Sequence, residues 1–265
     1  MHRETPGRRQ GSAACTLQGM TVHATSEAEL IRSNREFYEP LWRDSKLVAP
    51  DRFNTWPLVQ ELAVIAPRRL EVAPGLRPRL PLDGTQFLDL SQSALRQLSN
   101  HGARTTHGLI GAMPFADASF DFTCAFDIVE HVLDDDAAFA EIARVTAPGG
   151  YLLLSVPLHE SAWNAFDEFV GHCRRYEPDV IVAKLFAHGF TVERSAVYGM
   201  QPSSPRLLAW GQHFLTHQRD RAMWWYNRVF MPLGLRFAGK LDIKPGMIDT
   251  TGVDEILLVC KKSAA

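Results

Sequence analysis

The sequence predicts a doubly wound α/β fold, a mostly parallel sheet with helices on both faces. Three observations carry that prediction. Residues 115–157 read as strand, acidic turn, helix, Gly-Gly stop and second strand without interruption. Two short apolar runs, 69–73 and 86–90, end at turn residues and carry Glu71 and Asp89 near their carboxyl ends. Two further runs, 190–197 and 255–259, read as the last strands. Strands alternating with helical patterns imply right-handed crossovers, and ligands of such sheets sit at the carboxyl ends of the strands.

The elements follow in order. Residues 1–26 are rich in Arg, Gly, Ser and Thr and poor in apolar side chains, so a disordered N-terminal segment is expected. From Glu27 onward Leu30, Ile31, Phe37, Tyr38, Leu41 and Trp42 fall at amphipathic-helix spacing, with a bend or end expected near Pro40. A second helix is expected over 56–65, ahead of Pro67. Residues 27–66 thus form an N-terminal helical unit that either covers the ligand cleft, through Tyr38, Asn54 and Trp56, or packs on the sheet. After the second strand, Ser91 caps a helix with Ala94, Leu95 and Leu98 inward. Within 115–157, residues 120–126 form a strand, and Asp134, Asp135 and Asp136 place carboxylates at a helix N-terminus. Phe139, Ile142 and Val145 give that helix its buried face, Pro148-Gly149-Gly150 stops it, and 151–156 is a buried parallel strand. Pro178 suits a first helical residue, and Gly189 ends that helix.

Between the last two strands lies an excursion of about fifty residues, 199–253, read as a lid inserted before the final strand. It is dense in aromatics around Met223, Trp224, Trp225, Tyr226, Phe230 and Leu233, and Leu207, Leu208, Trp210, Phe214 and Leu215 make a helix-like stripe upstream. Such a face either walls an acceptor pocket, docks peripherally on a membrane or second subunit, or packs on its own domain.

With 265 residues, 46% of them hydrophobic, the chain can bury roughly three quarters of its unfolded surface. One α/β domain over 67–265, cap included, fits better than two. A net charge of -2 and a pI near 6.6 argue against a basic nucleic-acid footprint and for a small-molecule partner. Cys15, Cys124, Cys173 and Cys260 show neither paired nor metal-type spacing, so reduced thiols and no metal site are expected. No apolar run approaches the roughly 18–20 residues that span a bilayer, and the first residues lack a signal-peptide core. The expected compartment is the cytoplasm.

The stretches PFADASFD, DIVEHV, EIARV and APGGYLLLSVP, in this order and spacing, resemble the class I S-adenosylmethionine-dependent methyltransferases, and the resemblance extends over 70–197. It implies a Rossmann-like fold, S-adenosylmethionine as cofactor, and methyl transfer to a small, partly apolar acceptor. By resemblance Glu71 lies near the methionine end of the cofactor, Ala73, Pro74 and Gly75 form its loop, and Asp89 accepts from the ribose hydroxyls. Arg77 is placed to pair with the cofactor carboxylate, Leu90, Leu109 and Ile110 wall the adenine, and Phe126, Asp127 and His131 close the strand beside it. The chain departs from the pattern at Ala73 and Arg77, where glycines are usual, and at Leu109, where an Asp is usual. Only residues 75–85 join the first two strands, too few for a regular helix there. GHCRRY at 171–176 resembles a substrate-side segment of small-molecule members. His172 is therefore the leading general base and His159 the second, while Arg174 and Arg175 either hold an anionic acceptor or form salt bridges. His131 either shapes the pocket floor or transfers a proton. The competing readings are a catalytically degenerate methyltransferase fold that binds a ligand or partner, and a nicotinamide oxidoreductase. The latter lacks its Gly-x-Gly-x-x-Gly.

Overall fold

The computed structural model describes residues 15–17, 20–22, 26–199, 210–211, 213–214, 217–218, 221 and 224–264. Within the segment expected to be disordered, strands β1 (Cys15–Leu17) and β2 (Met20–Val22) pair antiparallel. Helix α1 (Glu27–Asp44) starts at Ser26, whose side chain accepts from the Glu29 N–H. It runs through Pro40, which neither ends it nor caps it, because contacts on both sides of that residue hold the helix in place. Helix α2 (Trp56–Ile65) has the expected bounds.

The main sheet contains β3 (Arg69–Val72), β4 (Thr85–Asp89), β5 (Arg104–His107), β6 (Phe120–Phe126), β7 (Thr146–Pro157), β8 (Phe190–Tyr198), β9 (Lys244–Pro245) and β10 (Glu255–Lys262), in the order 5-4-3-6-7-10-8-9. Strands β5, β4, β3, β6 and β7 are mutually parallel; β10 is antiparallel to both β7 and β8. Helix α3 (Gln92–Asn100) follows β4, α4 (Asp135–Val145) follows β6, α5 (Ala165–Val170) follows β7 and α6 (Pro178–Ala187) precedes β8.

The continuous apolar runs are explained by burial on both faces. Along β7, Leu152, Leu154 and Val156 meet Phe139 and Ile142 of α4 and Ile181 and Leu185 of α6, while Leu153 points to the opposite side. There it joins Phe122, Cys124, Leu257 and Val259 under Leu58, Val59 and Leu62 of α2. The period-two alternation is thus apolar on both sides, as a parallel sheet covered by helices requires. Cys124, Cys173 and Cys260 form no disulfide, and Cys124 and Cys260 are buried in strands, where desolvation raises their pKa.

Three elements differ from expectation. Helix α4 stops at Val145 and the chain becomes strand at once, so Pro148 and both following glycines lie inside β7 and its bulge. Gly150 is obligatory there, since a Cβ would lie 2.8 Å from the Ala147 carbonyl and 3.0 Å from that of Asp121. Strand β5 is a polar edge strand without alternation. In the inserted excursion, α7 (Met231–Phe237) follows a π-helical turn, and β9 returns the chain to the edge beside β8. Leu241 and Ile243 pack on the sheet, and the Asn54 side chain donates to the Gly239 carbonyl at 3.1 Å. Trp210, Trp224, Trp225, Phe230 and Phe237 remain exposed; Leu207, Leu208, Leu215 and Met223 lie outside the described residues.

Candidate functional site

The chain leaves β3 toward β4 and β5 on one side, and returns to build β6 and β7 on the other. The strand order therefore reverses between β3 and β6, and the crevice outside their carboxyl ends is the favoured ligand position of such a sheet. Its walls are the loop after β3, the end of β4, and the turn after β6.

The loop after β3 is stiff and unusual. Ala73 and Gly75 both have φ of 53°, the left-handed region, which strains a non-glycine residue such as Ala73. Ala73 is held there by its N–H, which donates to the Leu88 carbonyl at 2.7 Å. Asp89, the last residue of β4, accepts from the Gly75 N–H at 2.9 Å and, through its other oxygen, from the Ser91 N–H at 2.7 Å. Burial raises its pKa to about 6. Each carboxylate oxygen keeps a second lone pair. Glu71 is different. Its carboxylate is buried and accepts from the N–H groups of Arg79 and Leu80 at 2.8 Å each, so it braces the short 75–85 connection that replaces a helix. Burial raises its pKa to about 7, against the lowering effect of those two bonds.

Helix α1 lies across this crevice. Glu39 accepts from the hydroxyls of Ser91 and Ser93, both at 2.7 Å, and from the Ser93 N–H at 3.1 Å, pinning α1 to the start of α3. The Trp42 ring lies directly over Gly75, where a Cβ would come within 2.3 Å of it. Tyr38 stacks on Trp42 with ring centroids 6.2 Å apart, meets His131 edge-on at 5.9 Å, and donates to the Val170 carbonyl. Of the two N-terminal helices, α1 lies against the loop after β3 and the start of α3, and α2 packs on the sheet; Trp56 packs against the sheet. Arg77 was expected to face the cofactor, and its guanidinium lies 5.5 Å from the Trp42 ring centroid. Arg79, which sequence reasoning missed, lies beside Phe126 at the end of β6. It is buried, lies 3.7 Å over the Phe53 ring and 5.1 Å from that of Phe126, and donates to the Tyr198 hydroxyl at 3.1 Å. Nothing in the Pro-Arg-Leu-Pro run around it signals that position.

On the adenine side, Leu90 and Leu109 are half-buried, whereas Ile110 belongs to the main core beside Met113. The Gly108 N–H donates to the Asp89 carbonyl, bringing this turn against the end of β4.

At the end of β6, Phe126 meets Tyr198 edge-on at 5.4 Å, and Asp127 (φ 48°) accepts from the Ser155 hydroxyl at 2.6 Å. A 3₁₀ turn, Val129–His131, then buries Glu130 and His131. The His131 Nδ1–H donates to the Gly171 carbonyl at 3.2 Å, and burial, then His172, lowers its pKa to about 3. The His172 ring lies 4.7 Å from that of His131, near perpendicular, with Nδ1 at 2.8 Å from Asp167 Oδ1 and Nε2 at 3.7 Å from Glu130 Oε1. Arg175, 1% exposed, donates to Asp167 at 2.9 Å and to Asp254 at 2.7 Å. Although burial raises the Asp167 pKa, hydrogen bonds from His172 and Arg175 hold it below the usual range. Arg174 pairs with Asp135 and donates to the Leu133 carbonyl. Both arginines of GHCRRY therefore form ion pairs within the protein. His159 is pinned as well: Nε2–H donates to the Thr250 carbonyl at 2.9 Å, Nδ1 is 3.5 Å from Glu177, and no described contact joins it to His131 or His172. With Nε2–H held by that carbonyl, Nδ1 is the nitrogen of His159 left to accept a proton, and it lies beside Glu177.

Residues 85–154 match the methyltransferase domain family. A malonyl-acyl-carrier-protein O-methyltransferase of Erwinia billingiae is 30% identical over 123 residues, covering 40% of this chain and 49% of that relative. The chain thus spans about half the length of that curated relative. Among solved structures, an S-adenosylmethionine-dependent methyltransferase from Thermotoga maritima, described as a possible histamine N-methyltransferase, superposes with a TM-score of 0.53 at 14% identity, over 85% of this chain and all of that one. The 4+2-cyclase SpnF superposes with a TM-score of 0.51 at 20% identity, over 79% and 80% of the two chains. At these identities the superpositions speak for the shared fold. No helix among the described residues is long and apolar enough to cross a membrane.

Proposed function

We propose that this chain, which carries a methyltransferase domain of the class I, S-adenosylmethionine-dependent type, transfers the methyl group to a small, partly apolar acceptor. The observation that carries the reading is Asp89, a carboxylate at the end of β4 whose oxygens brace the Gly75 and Ser91 turns and still keep lone pairs toward the crevice. Leu90 and Leu109 flank the adenine of the cofactor, and Phe126, Asp127 and Arg79 border its amino-acid end. When bound, S-adenosylmethionine supplies an electrophilic methyl on a sulfonium, and the chain's part is then orientation, water exclusion and proton removal.

Helix α1 excludes water by closing with Tyr38 and Trp42. His172 accepts the acceptor's proton on Nε2 while Asp167 fixes the tautomer through Nδ1. The exposed aromatics of the excursion suit an acceptor with an apolar part.

Calorimetric titration with S-adenosylmethionine and S-adenosylhomocysteine tests the reading, with Asp89→Asn checked for unchanged folding. Micromolar binding that weakens in Asp89→Asn supports it. Binding of neither ligand by folded protein refutes it and leaves a fold that binds something else.

A further inference from the structure

We propose that Glu130, His131 and His172 form a binding site for one divalent transition-metal ion of the zinc, iron or manganese class. One ligand atom from each of the three lies within 4.8 Å of the others, and the residues are 0%, 7% and 7% exposed. Two imidazoles and one carboxylate are the donor set that such ions take with coordination positions left open for a further ligand.

Three features separate this cluster from an ordinary buried network. First, neither oxygen of Glu130 has a hydrogen-bond partner from another described residue, although the side chain is fully buried. Its contact with His172 Nε2, at 3.7 Å, is too long for a hydrogen bond. A buried carboxyl in that condition either keeps its proton or meets a cation, and an ion that displaces the proton gives both oxygens a partner. Arg175 is committed to Asp167 and Asp254; Arg174 pairs with Asp135, and its Nη1, like both Glu130 oxygens, has no hydrogen-bond partner among the described residues, so the two are not bonded to each other. Second, both rings are oriented from behind. Nδ1–H of His131 donates to a backbone carbonyl, and Nδ1 of His172 is bonded to a carboxylate that Arg175 clamps in turn. This outer layer fixes the tautomer in which Nε2 is the ligating atom and aims the ring, as it does around metal-bound histidines. Third, the ligand atoms lie within 4.8 Å of one another, with Glu130 Oε1 3.7 Å from His172 Nε2, against the roughly 3.4 Å that ligands of a tetrahedral ion with bonds of about 2.1 Å keep, so side-chain adjustments on the order of an ångström close the site. The turn that carries Glu130 and His131 and the loop that carries His172 come from different parts of the chain, so no spacing along the sequence reveals the set.

The proposal does not depend on methyl transfer, but it bears on it. A lone pair given to a metal cannot also take a proton, so in the loaded protein His172 is a ligand and not a base.

The test uses full-length protein without a histidine tag, stripped with chelator, and titrated with Zn2+ by calorimetry and with Co2+ by visible absorption. The exposed, stacked His213 and His217 could bind an ion by themselves, so a His213→Ala background removes that contribution. The expected result is one ion per chain at micromolar affinity or tighter, cobalt bands of nitrogen-rich coordination, and an unfolding temperature that rises with ion concentration. Glu130→Gln and His172→Gln each weaken binding by more than about tenfold. Where a variant does not fold, the wild-type cobalt spectrum decides alone. Affinity weaker than millimolar, a cobalt spectrum of oxygen ligands only, or undiminished binding by folded Glu130→Gln overturns the proposal.

Discussion

Replacing Gly75 by alanine tests how closely α1 sits on the crevice. The backbone at Gly75 has φ of 53°, where an alanine costs about 1–2 kcal/mol, offset by about 0.4–1 kcal/mol because alanine restricts the unfolded chain. The added Cβ would also lie 2.3–2.8 Å from three atoms of the Trp42 ring, so the ring must move; a forced repacking of this kind costs about 1–3 kcal/mol. Gly75→Ala should therefore destabilise by about 2–4 kcal/mol. In a Trp42→Ala background only the backbone cost remains, about 1 kcal/mol, so the double-mutant cycle should yield a coupling of about 1–3 kcal/mol. Urea denaturation of the four proteins measures this, provided the slopes agree. An equal cost of Gly75→Ala in both backgrounds would show that Trp42 does not rest on the loop, and the account of α1 as a cover would fail with it.

Ala73 occupies the same left-handed region without being glycine, so Ala73→Gly should stabilise by about 0.5–1 kcal/mol after its unfolded-state cost; a lower urea midpoint contradicts the strain. Because burial raises Glu71 from 4.5 to about 7, its stabilising contribution is complete below pH 4.5 and is lost as pH rises through 7; Glu71→Gln should flatten that part of the stability profile, and an unchanged slope counts against it. Asp89, raised to about 6, accepts ribose hydroxyls best when ionised, so S-adenosylhomocysteine affinity should fall as pH drops below 6, and calorimetry from pH 5 to 8 reads the effect. Asp167→Asn removes the partner of a buried guanidinium and of His172, and should cost about 3–5 kcal/mol in thermal or urea unfolding; a loss under 1 kcal/mol would mean that Arg175 is held by Asp254 alone.

The sheet was legible wherever local chemistry decides structure. Ser91 accepts from the Ala94 N–H and Asp134 from the Ala137 N–H as the caps predicted, and Pro178 and Gly189 bracket α6 as the turn rules require. Strand β5 escaped because Arg-Thr-Thr-His at an edge has no apolar alternation to read. In the site, Asp89 could be placed from its strand end, but Glu71 could not be distinguished from it. Both are acidic residues at strand ends, and only the path of the following loop turns Glu71 toward Arg79 and Leu80. The meeting of Glu130, His131 and His172 depends on the loop after α5 returning to the turn after β6, a long-range event with no local signal.

Strand β10 follows β8 in the chain but lies between β7 and β8, hydrogen-bonded to both. A nascent chain that has emerged through β8 therefore holds two unpaired edges, with all of 199–254 still to come before the missing strand arrives. During that interval β7 presents a long apolar edge of the kind that pairs with other chains. Synthesis of this protein thus has a vulnerable window that closes only when residues 255–262 leave the ribosome, and slow translation across the excursion would lengthen it.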